Sequence, residues 1–293
     1  MVHSANVPRT GANFSDPKAP PKVRMLVLET DEPHPETLNR RGTYGAIVND
    51  LFTKAGKEHS PPLEIETVMT YVVEDDGGKV PAASDIGDDV HAILLTGSMY
   101  DAHGDDPWIL KLLDLIRQLW SRRPDLRFCG VCFGHQVLCR ALGSTVKPTP
   151  GGKWELAHTK VHLSNVGQRL FDVDDTDIYL HQLHQDHVVD VPSCSTTDLL
   201  SKNDGAKVRV WGSTQNTPIQ GIYFTDRLFT SQGHLGFDTK TVERQIQDRV
   251  ESGGIKCADQ AKRAKMTSDM EHDGLIVATA ILRFFHGEDR DVL

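Results

Sequence analysis

The residue types able to do chemistry in this chain converge on one cysteine. In Phe128-Cys129-Gly130-Val131-Cys132-Phe133-Gly134-His135-Gln136 the pattern Gly130-x-Cys132-x-Gly134 is the cysteine form of a nucleophile elbow. Residues 126–131 read as a short apolar strand, and residues 137–142 as the apolar face of a helix. A strand that turns straight into a helix strains the residue at the turn, and neighbours without a Cβ let the backbone close around it. The sulfur then stands near the positive end of the helix, where a thiolate is favoured. The competing reading is a buried structural cysteine in an ordinary strand–helix turn. Two flanking glycines after an apolar strand favour the nucleophile.

A cysteine nucleophile needs a base brought near by the fold. Of the fourteen histidines, His234 stands out, because Phe229-Thr230-Ser231-Gln232-Gly233-His234 ends a strand late in the chain. His184, within His181-Gln182-Leu183-His184-Gln185-Asp186-His187, is its competitor. The bland readings are a loop histidine fixed by hydrogen bonds and a satisfied histidine at a strand end. Three histidines so close also invite a metal reading, but no matching ligand spacing accompanies them, and no metal is expected. Cys129-Gly130-Val131-Cys132 spells a thioredoxin-like C-x-x-C. Cys129, however, falls inside the apolar strand, as a small buried hydrophobe would. Attack on an amide builds an oxyanion, which preorganised N–H groups must meet. Phe133 N–H, next after the nucleophile, is one donor, and Gly97 N–H in Leu95-Thr96-Gly97-Ser98 is the second.

These residues need a frame. Residues 23–28 form a continuous apolar run, as in a strand buried on both faces of a parallel sheet. A helix follows at 44–55, a strand at 63–73, and a strand at 91–95 that ends on Gly97-Ser98. An amphipathic helix spans 108–120, started by Asp106-Pro107. Strand and helix in alternation predict a doubly wound, mostly parallel sheet with helices on both faces. Sites on such sheets lie beyond the carboxyl ends of the strands, where Gly97-Ser98 and Cys132 both fall. Beyond Ser144, short segments (146, 161–163, 188–191, 208–211, 219–224 and the one ending on His234) predict an antiparallel extension. Helices are expected at 240–250 and 275–285. Residues 1–21, with five prolines and glycines, read as a flexible leader, and 22–293 as a single domain.

Composition sets outer bounds. With 38% hydrophobic and 25% charged residues, the 293-residue chain has the profile of a globular protein with a sizeable core. A formal net charge of -9 with no basic cluster argues against nucleic acid or an anionic membrane as the partner. No apolar run approaches a membrane span, and no secretory h-region opens the chain. Five cysteines, an odd number, suit free thiols in a reducing compartment, so a cytoplasmic location is expected.

With Gly130-Val131-Cys132-Phe133-Gly134-His135-Gln136, Leu95-Thr96-Gly97-Ser98 and Gln232-Gly233-His234 in view, residues 22–250 resemble a class I glutamine amidotransferase, with its flavodoxin-like fold. Within that superfamily the chain is similar to stand-alone members related to γ-glutamyl peptidases. Gly97-Ser98-Met99-Tyr100-Asp101-Ala102-His103, Asp106-Pro107-Trp108-Ile109-Leu110 and His184-Gln185-Asp186 carry that likeness. The resemblance implies Cys132 as nucleophile, His234 as base, and Gly97 and Phe133 as oxyanion donors. It implies that Gln136 helps to hold the α-amino-acid end of a γ-glutamyl group, with Ser98, His184 and Asp186 around the pocket. The family usually reads His-Pro-Glu at the base, whereas this chain reads His234-Leu235-Gly236, so the orienting glutamate is absent. Asp238 is the nearby carboxylate that would replace it, unless a Cys132–His234 dyad suffices. The implied activity is hydrolysis or transfer of the γ-glutamyl group of glutamine, glutathione or a glutathione conjugate, through a thioester and without a cofactor. The alternatives are a glutaminase subunit that passes ammonia to a separate synthetase and a catalytically impaired binding protein. The expected partners are a small γ-glutamyl compound, and a synthetase or a second copy of the chain.

Overall fold

The computed structural model describes residues 22–205 and 207–289. The leader expected at 1–21 lies outside them. The apolar run at the start becomes β1 (Lys22–Glu29), where Val23, Met25, Val27 and Leu28 are fully buried. Two helices follow, α1 (Pro35–Arg41) and α2 (Tyr44–Glu58), the second capped by the Thr43 hydroxyl, which accepts from Ala46 N at 3.3 Å. Then come β2 (Glu64–Tyr71), β3 (Ala92–Leu95) and α3 (Pro107–Arg122). Proline at the first turn of α3 costs no hydrogen bond there. Its buried stripe of Trp108, Ile109, Leu112, Leu113, Leu115, Ile116, Leu119 and Trp120 has helical spacing. The chain continues through β4 (Arg127–Val131), α4 (Phe133–Ala141), β5 (Val146–Pro148), β6 (Glu155–Leu163), α5 (Asn165–Phe171), β7 (Asp177–His184) and β8 (Asp186–Val188). It closes with α6 (Lys202–Gly205), β9 (Val208–Ser213), β10 (Gly221–Phe224), β11 (Leu228–Ser231), α7 (Thr239–Glu251), α8 (Ala258–Lys265) and α9 (Gly274–Phe285).

Nine strands form one sheet in the order β2-β1-β3-β4-β11-β10-β9-β6-β7. The first five run parallel to one another, and from β10 onward each neighbour is antiparallel. The doubly wound sheet and its antiparallel extension are thus both present. Two expectations need correction. The segment ending on His234 is not part of the extension, because β11 lies parallel to β4, pairing Ser231 with Val131. Position 146 and the start of 188–191 leave the main sheet altogether and form the separate ribbon β5–β8. Helix α8 had no counterpart among the expected elements. His184 is no loop residue; it is the last residue of β7.

Each face of the sheet has its own core. On one, α3 and α4 cover Leu26, Leu28, Ile93, Leu95 and Phe128. On the other, α2, α5 and α9 cover Met25, Val27, Leu94, Cys129 and Phe229, with Val277, Ile281, Phe284 and Phe285 of α9 buried among them. Removing each such side chain from water contributes about 1.5–3 kcal/mol before entropy is counted. Among the described residues no helix is long and apolar enough to cross a membrane.

Candidate active site

The site begins where β4 hands over to α4. Cys132 sits at that junction with φ 55° and ψ −108°, a region that costs a non-glycine residue on the order of 1–3 kcal/mol. Backbone bonds hold it there: Cys132 N donates to Ser231 O at 2.8 Å, Gln136 N to Cys132 O at 3.1 Å, and Gly134 N to Thr96 O at 3.0 Å. Both flanking glycines are required by close approach. A Cβ on Gly130 would overlap the Gly134 carbonyl, and one on Gly134 would overlap the Leu95 carbonyl of β3. The Cys132 side chain is thereby fixed beyond the carboxyl ends of β3, β4 and β11.

Gly97 and His234 flank it. A Cβ built on Gly97 would lie 2.9 Å from His234 Cε1 and 3.5 Å from Cys132 Cβ, so only glycine leaves room for the imidazole and the Cys132 side chain together. The Gly97 loop is tied down from below. Thr30 Oγ1 donates to the carbonyls of Thr96 and Gly97, each at 3.1 Å, and Asp31 Oδ2 accepts from Met99 N at 2.6 Å. Among the described residues Gly97 N–H donates to no other group, which suits an oxyanion donor. Phe133, the first residue of α4, has no acceptor within its helix, and its N–H favours the Cys132 thiolate.

Burial works against charge on both Cys132 and His234. Burial pushes the Cys132 thiol up to about 11, outweighing the Arg249 guanidinium, the Phe133 N–H and the Gln232 amide, which favour the thiolate. The thiol expected to be lowered at the helix terminus is instead raised, because desolvation outweighs the donors around it. Burial also pushes the His234 imidazole down to about 3, with His184, His181 and Arg249 adding to the effect.

The two candidate bases part company on their hydrogen bonds. His184 uses both nitrogens, Nδ1 to Asp186 O at 2.9 Å and Nε2 to Glu155 Oε2 at 3.0 Å. No side-chain hydrogen bond reaches the His234 ring among the described residues. It is held instead by its backbone, whose N donates to His181 O at 2.8 Å, and by stacking on Phe237, with ring centroids 4.1 Å apart and planes at 14°. Tyr44 in turn stacks on Phe237, with ring centroids 5.9 Å apart. An aromatic column thus positions the ring without supplying charge.

Asp238 does not orient the base. Its carboxylate accepts from Arg40 and Arg41 and caps α7 through Thr241 N at 2.9 Å. Burial works against ionisation there, but these donors hold the carboxyl far below the usual range. The place of the missing glutamate is an apolar cavity of about 30 Å³, lined by Ile47, Val48, Leu51, Phe52, His234 and Gly236 among others. Gln136 is also committed elsewhere. Its Nε2 donates to Asp186 O at 2.9 Å and to Gln232 Oε1 at 3.0 Å, which leaves no amide proton for a substrate carboxylate. The Gln232 amide, whose own nitrogen is buried without a hydrogen-bond partner, favours the Cys132 thiolate.

Ser98 is half-buried beside Gly97, its hydroxyl accepting from Tyr100 N at 3.1 Å. Asp186 pairs with His103 Nδ1 at 2.9 Å, and burial raises its carboxyl above the ordinary range. Asp101 joins these two in an acidic corner whose ligand-type atoms lie within 4.8 Å of one another. Glu155, which no motif singled out, anchors a buried network. It accepts from His184 at 3.0 Å, Gln220 at 2.8 Å and the Thr214 hydroxyl. Burial raises that carboxyl and these donors outweigh it, so it lies below its ordinary value.

A strained cysteine at an elbow, two N–H donors and an imidazole, on a mostly parallel sheet closed by antiparallel strands, define a class. The chain belongs to the class I glutamine amidotransferases, whose family pattern matches residues 80–248. It is similar to a glutamine amidotransferase-like protein of Schizosaccharomyces pombe, with 28% identity over 260 residues, covering 89% of this chain and 97% of that one. It is also similar to γ-glutamyl peptidase 3 of Arabidopsis thaliana, 26% identical over 231 residues, covering 78% and 83%. A glutamine amidotransferase of Thermotoga maritima shares the fold, with a TM-score of 0.63 at 17% identity, over 90% of this chain and 98% of that one.

Proposed function

We propose that this chain is a cysteine-dependent hydrolase or transferase of γ-glutamyl amides, acting through a γ-glutamyl thioester on Cys132. The observation that supports the reading most is Cys132 in its strained elbow conformation with His234 across Gly97. Because burial disfavours charge on both thiol and imidazole, the proton moves during attack. His234 takes it as sulfur bonds to the γ-carbonyl carbon, and Gly97 and Phe133 N–H meet the resulting oxyanion. The tetrahedral adduct collapses, His234 returns the proton to the departing amine, and the thioester remains. Water, or an acceptor amine, then attacks with His234 again as base. The γ-glutamyl peptidases among the chain's relatives agree with this substrate class. Asp186, whose charge is felt at Cys132, is taken as the carboxylate that receives the substrate ammonium.

A second reading rests on the absence, among the described residues, of a carboxylate hydrogen-bonded to the His234 ring: a chain that binds a γ-glutamyl compound without turning it over. Purified protein incubated with γ-glutamyl-p-nitroanilide, glutamine and glutathione separates the two. Turnover is expected, with a γ-glutamyl adduct on Cys132 detectable by mass spectrometry. Cys132→Ser should abolish it by roughly a thousandfold or more without changing the melting temperature. Generic iodoacetamide should label the exposed Cys194 and Cys257 before the buried Cys132. An electrophile built on a γ-glutamyl frame should reverse that order. No turnover and no Cys132 adduct with any of the three amides would leave only the binding reading.

A further inference from the structure

Arg249 is a cation at the site to which no motif and no part of the catalytic cycle assigns a role. It lies in the last turn of α7, and its Nη1 reaches back to the Met99 carbonyl at 3.4 Å, in the loop that carries Gly97. Its guanidinium carbon lies 5.4 Å from the centre of the Trp154 ring. That platform is rigid, since the indole N–H donates to Gly254 O at 3.1 Å and the Trp154 carbonyl accepts from Gln260 at 2.9 Å. Its backbone is fixed too, with Arg249 O accepting from Ile255 N at 2.9 Å. The arginine is thus held in place, yet it has no anion. Its Nε is buried without a partner, and among the described residues it makes no ion pair. Arg244, a turn and a half earlier on the same helix, is paired with both Asp248 and Glu251. The carboxylate of Asp31 lies nearby, but its oxygens accept from the N–H groups of Met99 and Glu32. A half-buried guanidinium with an unsatisfied N–H beside a nucleophile is costly unless a ligand completes it. Its planar fork matches a carboxylate in two parallel hydrogen bonds. The charge is near enough to Cys132 to favour its thiolate.

We infer that Arg249, stacked on Trp154, is the receptor for a carboxylate of the substrate, the role that Gln136 is not free to fill. The inference rests on the γ-glutamyl reading of Cys132, and it narrows the substrates to acids. Two carboxylates are in question, the α-carboxylate of the γ-glutamyl group and the carboxylate of a leaving amino acid or peptide. The test uses Arg249→Ala with γ-glutamyl-p-nitroanilide, which carries only the first, and with γ-glutamylglycine, which carries both. Loss of a charged hydrogen bond should lower kcat/KM about ten- to a hundredfold, mainly through KM. An equal loss on both substrates identifies the α-carboxylate. A loss on γ-glutamylglycine alone identifies the leaving-group carboxylate, and γ-glutamylglycinamide should then be insensitive to the mutation. Added guanidinium ion should restore part of the rate, which a merely structural role would not allow. Binding is read separately from catalysis by titrating γ-glutamylglycine into Cys132→Ala protein, with and without Arg249→Ala. Binding that weakens with Arg249→Ala in a chain whose wild type shows no turnover keeps the receptor and removes the hydrolase. Affinity that does not change, or no binding to Cys132→Ala at all, overturns the receptor whatever the turnover.

Discussion

Asp238 has the right chemistry to orient an imidazole and the wrong surroundings. Read along the chain, it is the first carboxylate after His234 and the natural replacement for the glutamate missing at Gly236. In space it starts α7 and ties α1 to it through Arg40 and Arg41. Asp238→Ala should therefore lower stability, by about 0.5–2 kcal/mol for the lost cap and little for the solvent-screened ion pairs. Its kcat should stay within about twofold of wild type. Urea midpoints and steady-state rates on one substrate check both, and a large loss in kcat at unchanged stability would return Asp238 to the base. Sequence made the placing of Cys132 and Phe133 at a strand–helix turn legible, because Gly-x-Cys-x-Gly spacing encodes that backbone geometry, and it set Gly97 just past the end of the neighbouring strand. It hid Phe237, Gln232, Glu155 and Arg249, because an aromatic, an amide or a lone charge carries no pattern until the fold supplies a neighbour.

Between elements, the missing glutamate is a matter of how α2 packs. A Cβ on Gly236 would come within 3.1 Å of Ile47 Cγ2 and 3.5 Å of Leu51 Cδ2, both on α2. A glutamate there must push that helix outward by a few tenths of an ångström and place its carboxyl in the apolar cavity beside His234. Overpacking of this kind costs about 1–3 kcal/mol. A carboxylate in that place would also stabilise the imidazolium that forms during attack. Gly236→Glu should accordingly melt at lower temperature while turning over faster, and a slower variant would show that the stacked Phe237 already meets the need for alignment. The longer helices were readable from periodicity, as with α3 and its stripe from Trp108 to Trp120. The placement of β11 was not. Four buried residues, Leu228 to Ser231, fit a parallel or an antiparallel neighbour equally well, and only pairing with β4 decides between them.

For the whole molecule, the buried histidines set how stability responds to acid. His135 and His234 are pushed down to about 3 and His181 to about 4, each chiefly by burial, and burial also lowers His272 and His286. The unfolded chain takes up protons on these rings near pH 6.5, and the folded chain refuses them until far lower pH. Stability must therefore fall as pH drops below about 6.5, each ring contributing on the order of 1 kcal/mol per pH unit within its window. Asp31 and Asp289 act with the opposite sign. Burial raises both to about 6, so between that pH and the ordinary carboxylate range near 4 the folded state holds protons that the unfolded state has released. Acidification through that window strengthens the fold at these two positions and offsets part of the histidine effect. The histidines outnumber them, and below about pH 4 the offset ends because both states carry the carboxyl protons. Urea midpoints measured from pH 7 to 4 should decline gently and then steeply. Asp31→Asn removes one offset and should steepen the decline between pH 6 and 4, whereas His181→Gln should flatten it. A midpoint that rises on acidification across that whole range would mean that these rings are protonated in the folded protein.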